Sequence, residues 1–356
     1  MATRLVLHVG VMKSGTTFIQ RVLLANQQRL HDEGILFPGK RWRRQVVAVR
    51  DLMAQVSDKG NELEPDGPWN TMAAQIREWP GIAILSMEYL GPRSAAQIAA
   101  VRETFADTEV EVVLTVRDLA RSITSMWTES VQNRGTTYWA GYLRAIRSGK
   151  QPVGQAFWRQ QRIPAIVERW TAAFGRDHVT VITVPPAGSP RDILWKRFAS
   201  VAGIPENLCD LDVTGNAALD APSALVMRRL NERLAEREGG AGMDPKVYDR
   251  YVKRGLAKNG INKRAHRGAS VGLNNPWVML RAQKELRDLR ALDPQVVGDL
   301  AELKSRRVKG VSPSRVSTEQ QLEAAVDGMA ALLDLWIADI ESRKSGDDSS
   351  PRKDDQ

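Results

Sequence analysis

The 356-residue chain has a single cysteine, Cys209, which excludes an internal disulfide framework and any zinc site built on several cysteines. Its four histidines, His8, His31, His178 and His266, are scattered without HExxH or similar spacing, so no histidine-rich metal site is expected. No apolar run approaches the ~18 residues that a membrane span needs. The start, Met1 to Gly10, carries one Arg4 and no small-residue cleavage pattern, so no secretory leader is expected. Aromatic residues are only 6% of the chain. They do not interleave with the short basic clusters at Arg41–Arg44 and Lys304–Lys309, as a stacking platform for single-stranded nucleic acid requires. There are no internal repeats. The expectation is a soluble, cytoplasmic protein without a metal, a nucleic-acid partner or stable membrane insertion.

What the chain does have is positive charge. Fifty-one Lys and Arg against 42 Asp and Glu leave a formal net charge of +9. Composition alone does not separate a solvated cationic surface from one basic pocket for a small polyanion. With 42% hydrophobic residues the chain can bury a sizeable core. Its length corresponds nominally to two domains at about 150 residues each, although open α/β sheets often exceed that as one unit.

Four short runs, Leu5–Val9, Ile82–Leu85, Val110–Val116 and Val179–Val184, read as strands. They are continuously apolar rather than alternating, which suits a parallel sheet covered on both faces. Helical spacings lie between them, as at Phe18, Ile19, Val22 and Leu23, then Ala95, Ile98, Val101 and Phe105. The pattern predicts an α/β fold: a P-loop-like, doubly wound parallel sheet flanked by helices. After about Pro185 the chain turns helical, at Ala224–Arg237, Lys246–Lys258 and Val278–Leu289, with no strong strand and a break at Gly239–Gly242. The expected organisation is one α/β domain over 1–341, with its sheet core at about 1–185 and helical additions at about 186–341. Residues 342–356 form a polar tail expected to be disordered.

The first strand runs into Gly10-Val11-Met12-Lys13-Ser14-Gly15-Thr16-Thr17 and then a helix. Amides at a helix start lack intrahelical acceptors and the dipole there favours an anion. Gly15 permits close approach, Thr16 and Thr17 add hydroxyls, and Lys13 adds a mobile cation. In a Walker A loop the Lys follows the second glycine; here it precedes Ser-Gly-Thr-Thr. A second element ends in Arg117, with Asp118 a suitable N-cap for the helix that carries Arg121, Ser122 and Ser125. Arg117 thus falls at the carboxyl edge of the sheet, where open α/β folds bind ligands.

The order Lys13-Ser14-Gly15-Thr16-Thr17 after a strand resembles the 5′-phosphosulfate loop of sulfotransferases that use 3′-phosphoadenosine 5′-phosphosulfate (PAPS). Arg117, followed eight residues later by Ser125, resembles their 3′-phosphate element; Arg121 and Ser122 do not fit that spacing. The two elements span roughly the first 130 residues. Ser223–Leu234 and Val296–Leu303 are similar to stretches of bacterial, particularly actinobacterial, members. The resemblance implies PAPS as co-substrate, Lys13 as the cation at the bridging oxygen, and the amides of Ser14 to Thr17 as donors. It also implies a late basic loop over the 3′-phosphate, which either Lys263, Arg264 and Arg267 or Arg306, Arg307 and Lys309 can supply.

Heparan-type and several bacterial members carry a Glu as base at the end of the second strand, which is Glu88 here; the cytosolic aryl and steroid enzymes use a His. His8, inside the first strand, is the competing candidate. Trp127, Tyr138, Trp139, Tyr142, Phe157 and Trp158 concentrate aromatic surface that can either line an acceptor pocket or fill the core. The acceptor class, carbohydrate, lipid or small molecule, stays open. The competing readings are a P-loop kinase or NTPase and a non-catalytic nucleotide-binding protein.

Overall fold

The structure, a computed structural model, describes residues 4–57, 60–61, 63–213, 218–237, 243–263 and 267–344. In chain order β1 (Arg4–His8) leads to α1 (Thr16–Ala25), α2 (Gln27–Asp32) and β2 (Ile35–Leu36). Then come α3 (Trp42–Gln55), the small hairpin β3 (Val56–Ser57) and β4 (Gly60–Asn61), and α4 (Pro68–Glu78). β5 (Ile82–Ser86), α5 (Ala95–Thr104), β6 (Glu109–Val116), α6 (Leu119–Gln132) and α7 (Trp139–Ser148) follow. Next are α8 (Pro152–Gln161), α9 (Ile163–Phe174), β7 (Val179–Thr183), α10 (Asp192–Ala202) and α11 (Ala221–Arg237). The chain closes with α12 (Pro245–Val247), α13 (Pro276–Ala291), β8 (Gln295–Val297) and α14 (Thr318–Lys344). Between α12 and α13 a π-helical run covers Tyr248–Gly260.

Six strands form one sheet in the order β2-β5-β1-β6-β7-β8, and every pairing in it is parallel. The four anticipated strands are present to within a residue. Two edge strands, β2 and β8, join them. At two and three residues they are too short to show a pattern, and β8 adds a short edge strand to the region after Pro185, where no strong strand was expected.

Residue alternation explains the continuously apolar strands. Leu5, Leu7, Leu85, Val112, Leu114 and Val181 pack into one buried cluster that takes in Ile98 of α5, Ile166 and Trp170 of α9, and Leu286 of α13. Val6, Ile84, Val113 and Ile182 point the other way, onto Ile19, Val22 and Leu23 of α1 and Trp195 and Phe198 of α10. Each strand is therefore dry on both faces.

The chain divides into two compact units. The first, Met1–Ile123, Ala145–Gly215 and Asn275–Arg306, contains the whole sheet. The second, Thr124–Arg144, Asn216–Asn274 and Arg307–Gln356, is helical. In it Asn231 donates to the carbonyls of Val131 (2.8 Å) and Gly135 (3.0 Å) and accepts from the Tyr248 hydroxyl (2.7 Å). Arg134 lies over the Tyr248 ring, 4.6 Å from its centre. The helix α14 runs on through Lys344, three residues past the expected start of the tail. The break at Gly239–Gly242 and residues 345–356 of that tail lie outside the described residues.

Candidate functional site

The loop after β1 follows the sheet a little further before it turns. The Val9 and Val11 amides donate to the carbonyls of Val113 and Thr115, both at 2.9 Å, and the Met87 amide to that of His8. The turn then uses two left-handed residues, Lys13 (φ 66) and Gly15 (φ 87). A Cβ on Gly15 would stand 2.4 Å from Leu194 Cδ2, so both conformation and space require glycine there. A Cβ on Gly10 would meet Thr115 Oγ1 at 2.5 Å and Thr16 Cγ2 at 2.8 Å. Gly15 is the N-cap of α1 and no side chain caps it. The first amides of α1 therefore have no acceptor within the helix, the arrangement that attracts an anion.

Beneath the loop lies a polar floor with no exposed surface at its centre. The Ser14 hydroxyl donates to the Val11 carbonyl at 2.5 Å. It therefore accepts from Thr115 Oγ1 at 2.7 Å, and Thr115 in turn accepts from His8 Nε2 at 3.1 Å. That leaves His8 Nδ1 to accept from the Ser86 hydroxyl at 2.8 Å. One direction of donation satisfies all four side chains, and it fixes His8 as the neutral tautomer protonated at Nε2. His8 is fully buried, and burial pushes its pKa down to about 3. Phe198 packs on its ring at 5.1 Å. With both nitrogens engaged and little basicity left, His8 has the surroundings of a brace between strands rather than of a base.

Glu88 sits two residues beyond β5, half-buried. Gln20, on the inner face of α1, donates to Glu88 Oε2 at 2.7 Å and to the Ser86 carbonyl at 3.2 Å. The Ser86 amide donates to Gln45 Oε1 at 3.0 Å. These two glutamines orient the strand end, and sequence reading overlooked them. The signal was present for Gln20, a polar residue one turn after Thr16 in an otherwise apolar row.

Arg117, at the end of β6, donates through Nη1 to the Lys13 carbonyl at 3.3 Å. Burial, with repulsion from Arg121, lowers its pKa to about 10 while Asp118 offsets part of that, so it stays charged at neutral pH. Its Nε is buried without a partner. Arg121 is tied to Asp118 and to the Pro185 carbonyl.

The structure thus gathers Lys13 to Thr17, Glu88 and Arg117 at the carboxyl edge of the sheet, with His8 below. The hydroxyl of Ser14 faces the floor, Thr16 is buried and Thr17 exposed. Ser125 lies on α6 in the helical unit, its carbonyl accepting from Thr128 Oγ1 at 2.9 Å. Of the late basic residues, Arg264 and the Lys263 side chain lie outside the described residues. Arg267 donates to the Ala218 carbonyl. Arg306 lines a cleft of about 520 Å³ with Arg287, Arg290 and Lys304, while Arg307 and Lys309 belong to the helical unit.

The aromatic residues divide. Trp127, Trp139, Tyr142 and Phe157 are buried, and Trp127 and Trp139 pack edge to face at 5.1 Å. They are core, the second of the two alternatives that their spacing left open. Tyr138 is exposed, and Trp158 borders a cleft of about 880 Å³ in the sheet unit. Among the described residues no group of three or more His, Cys, Asp and Glu is placed to hold a metal, and no helix is long and apolar enough to cross a membrane.

No protein-family model and no curated protein matches the chain. Among solved structures it is similar to a sulfotransferase from Alicyclobacillus acidocaldarius, at 15% identity and a TM-score of 0.39. That match covers 70% of this chain and 99% of the other. The α/β architecture stands on its own topology, six parallel strands with helices on both faces.

Proposed function

We propose that the chain is a sulfotransferase that moves the sulfuryl group of PAPS onto a hydroxyl or amine of an acceptor. The observation that carries this reading is the Lys13–Thr17 turn: a Lys-Ser-Gly-Thr-Thr loop whose left-handed Gly15 opens α1 with uncapped amides. Glycines at 10 and 15, where any side chain would collide, keep the loop compact enough for a phosphosulfate to reach those amides. Arg117, bonded to the loop's own backbone, adds a fixed cation that suits the 3′-phosphate. By resemblance Ser125 shares that role.

The chain's residues divide the work of an in-line displacement. The amides of Ser14 to Thr17 donate to the phosphosulfate oxygens, and Lys13 neutralises the charge that develops on the bridging oxygen. Glu88 takes the acceptor proton as the acceptor atom bonds to sulfur and the sulfur–oxygen bond to the 5′-phosphate breaks. The products are the sulfated acceptor and 3′-phosphoadenosine 5′-phosphate. No metal is assigned to the step. His8 we place in the floor, holding Ser86 and Thr115, and not in the proton transfer. A magnesium–ATP reading is less well supported, since β6 ends in a cation and Asp118 is engaged by Arg121.

Transfer of labelled sulfate from PAPS to a panel of carbohydrate, lipid and phenolic acceptors tests the proposal. Transfer by the wild type that Glu88→Gln loses supports it. Tight nucleotide binding with no transfer to any acceptor would favour a non-catalytic binding protein instead.

A further inference from the structure

A cleft of about 880 Å³ in the sheet unit reaches the loop at Met12 and is also lined by Tyr89, Arg93, Trp158, Arg159 and Arg169. Tyr89 follows Glu88 directly. We propose that this cleft holds an acidic group of the acceptor, so that the enzyme's substrate is an anionic molecule, a carboxylate- or sulfate-bearing glycoside, rather than a neutral alcohol. The word acceptor rests on the function proposed above; the anion-binding role of the cleft does not.

Three separate segments bring the arginines together. Arg93 comes from the turn between β5 and α5, Arg159 from α8, and Arg169 from α9. Their approach is costly: burial lowers the pKa of Arg93, and the charges of Arg159 and Arg169 lower it further. Burial lowers Arg169 as well, with only Glu168 opposing. Arg162, also on the cleft, acts on Glu285 and Asp288 instead. Elsewhere in the molecule partly buried arginines meet carboxylates, as Arg197 does with Glu302 at 2.6 Å and Arg281 with Glu285 at 2.7 Å. Among the described residues none of Arg93, Arg159 and Arg169 forms an ion pair, and the Arg93 Nε is buried without a partner.

The surroundings hold this cluster rather than letting it spread. Arg169 Nε donates to the Arg93 carbonyl at 3.0 Å. Trp170 Nε1 donates to the Gly91 carbonyl at 3.1 Å. Gln161, where α8 ends, donates to the Met12 carbonyl at 2.7 Å and ties the arginine-bearing helix to the loop. Trp158 is fixed through Nε1 to the Ile146 carbonyl at 2.8 Å and stacks with Arg281 at 4.3 Å. Guanidinium forks pair bidentately with carboxylate, sulfate or phosphate. Met12 and Tyr89 of the cleft lining are the chain neighbours of Lys13 and Glu88, so an acceptor anchored here lies beside the residues assigned to the transfer.

The test uses the full chain and three matched probes, octyl β-glucuronide, octyl β-glucoside 6-sulfate and neutral octyl β-glucoside, with binding followed by calorimetry. The wild type is expected to prefer one or both anionic probes over the neutral one by about tenfold or more, and the double variant Arg159→Gln/Arg169→Gln to lose that preference. Arg93→Lys, which keeps the charge but not the fork, is expected to retain part of it. Which anion is favoured distinguishes carboxylate from sulfate. Equal binding of all three probes by the wild type, or an unchanged preference in the double variant, would overturn the inference. Titration of the same proteins with 3′-phosphoadenosine 5′-phosphate separates the two ideas. Failure of the nucleotide to bind undermines the functional reading and leaves the cleft result standing, whereas nucleotide binding without anion preference does the reverse.

Discussion

The floor under the loop and the arginine cleft beside it are both polar, yet they treat charge in opposite ways. In the floor His8, Ser86, Thr115 and Ser14 satisfy one another in a single chain of donation, and the one titratable group is held neutral. In the cleft burial and the charges of Arg159 and Arg169 lower the pKa of Arg93, and none of the three has an ion pair among the described residues. A buried network completed from within serves the fold, because any loss leaves an unpaired polar group in a dry place. Charges that repel and are nonetheless fixed in position favour an anion from outside. The loop of Lys13 to Thr17 stands between the two, rigid below and cationic above.

That contrast sorts substitutions by what they harm. The largest effect is expected for Lys13→Ala on the cationic side: sulfate transfer falls by about a hundredfold to a thousandfold, with the melting temperature little changed. A Lys13→Ala protein that unfolds early, or one that transfers normally, would break the division. Glu88→Gln comes next, with transfer reduced about a hundredfold and nucleotide affinity, measured by calorimetry, retained. Gly10→Ala belongs to the floor. Its Cβ meets Thr115, Thr16 and His8 at 2.5 to 3.0 Å, and denaturant unfolding is expected to show a loss of about 1–3 kcal/mol.

A pH dependence of stability completes the series. The folded pKa of His8, about 3, lies below its ordinary value of 6.5, so between those two values the unfolded chain binds the extra proton. The His8 contribution to stability is therefore flat above about pH 6.5 and falls as pH drops toward 3, by up to about 1.4 kcal/mol per pH unit. His8→Gln removes that component, so the stability difference between wild type and variant should shrink as pH falls from 7 to 5. A constant difference over that range would mean that His8 is not held neutral.

Much of the geometry of the loop was legible in the sequence because it is local. Gly10 to Thr17 is a strand end, a turn and a helix start in succession, and each residue type there has a backbone or electrostatic reason. Arg117 was legible for the same cause, at the end of a long apolar strand. The cleft was not legible, since its arginines come from distant segments and only the packing of α8 and α9 against the β5–α5 turn unites them. The floor was half legible: His8 stood out, but its partners Ser86 and Thr115 are ordinary strand residues until the parallel register sets His8 beside Ser86. The aromatic cluster was legible only as an alternative, pocket or core, because its members share a stretch of chain; burial sends Trp127, Trp139, Tyr142 and Phe157 to the core and leaves Trp158 on the cleft.

The central claim is that the loop and Arg117 are built for a nucleotide that carries a 3′-phosphate. Calorimetric titration with 3′-phosphoadenosine 5′-phosphate beside ATP–magnesium, on wild type, Lys13→Ala and Arg117→Ala, tests it most directly. The account predicts clear preference of the wild type for the 3′-phosphorylated ligand, weakened about tenfold or more by either substitution. Tight ATP–magnesium binding with indifference to the 3′-phosphate would contradict it.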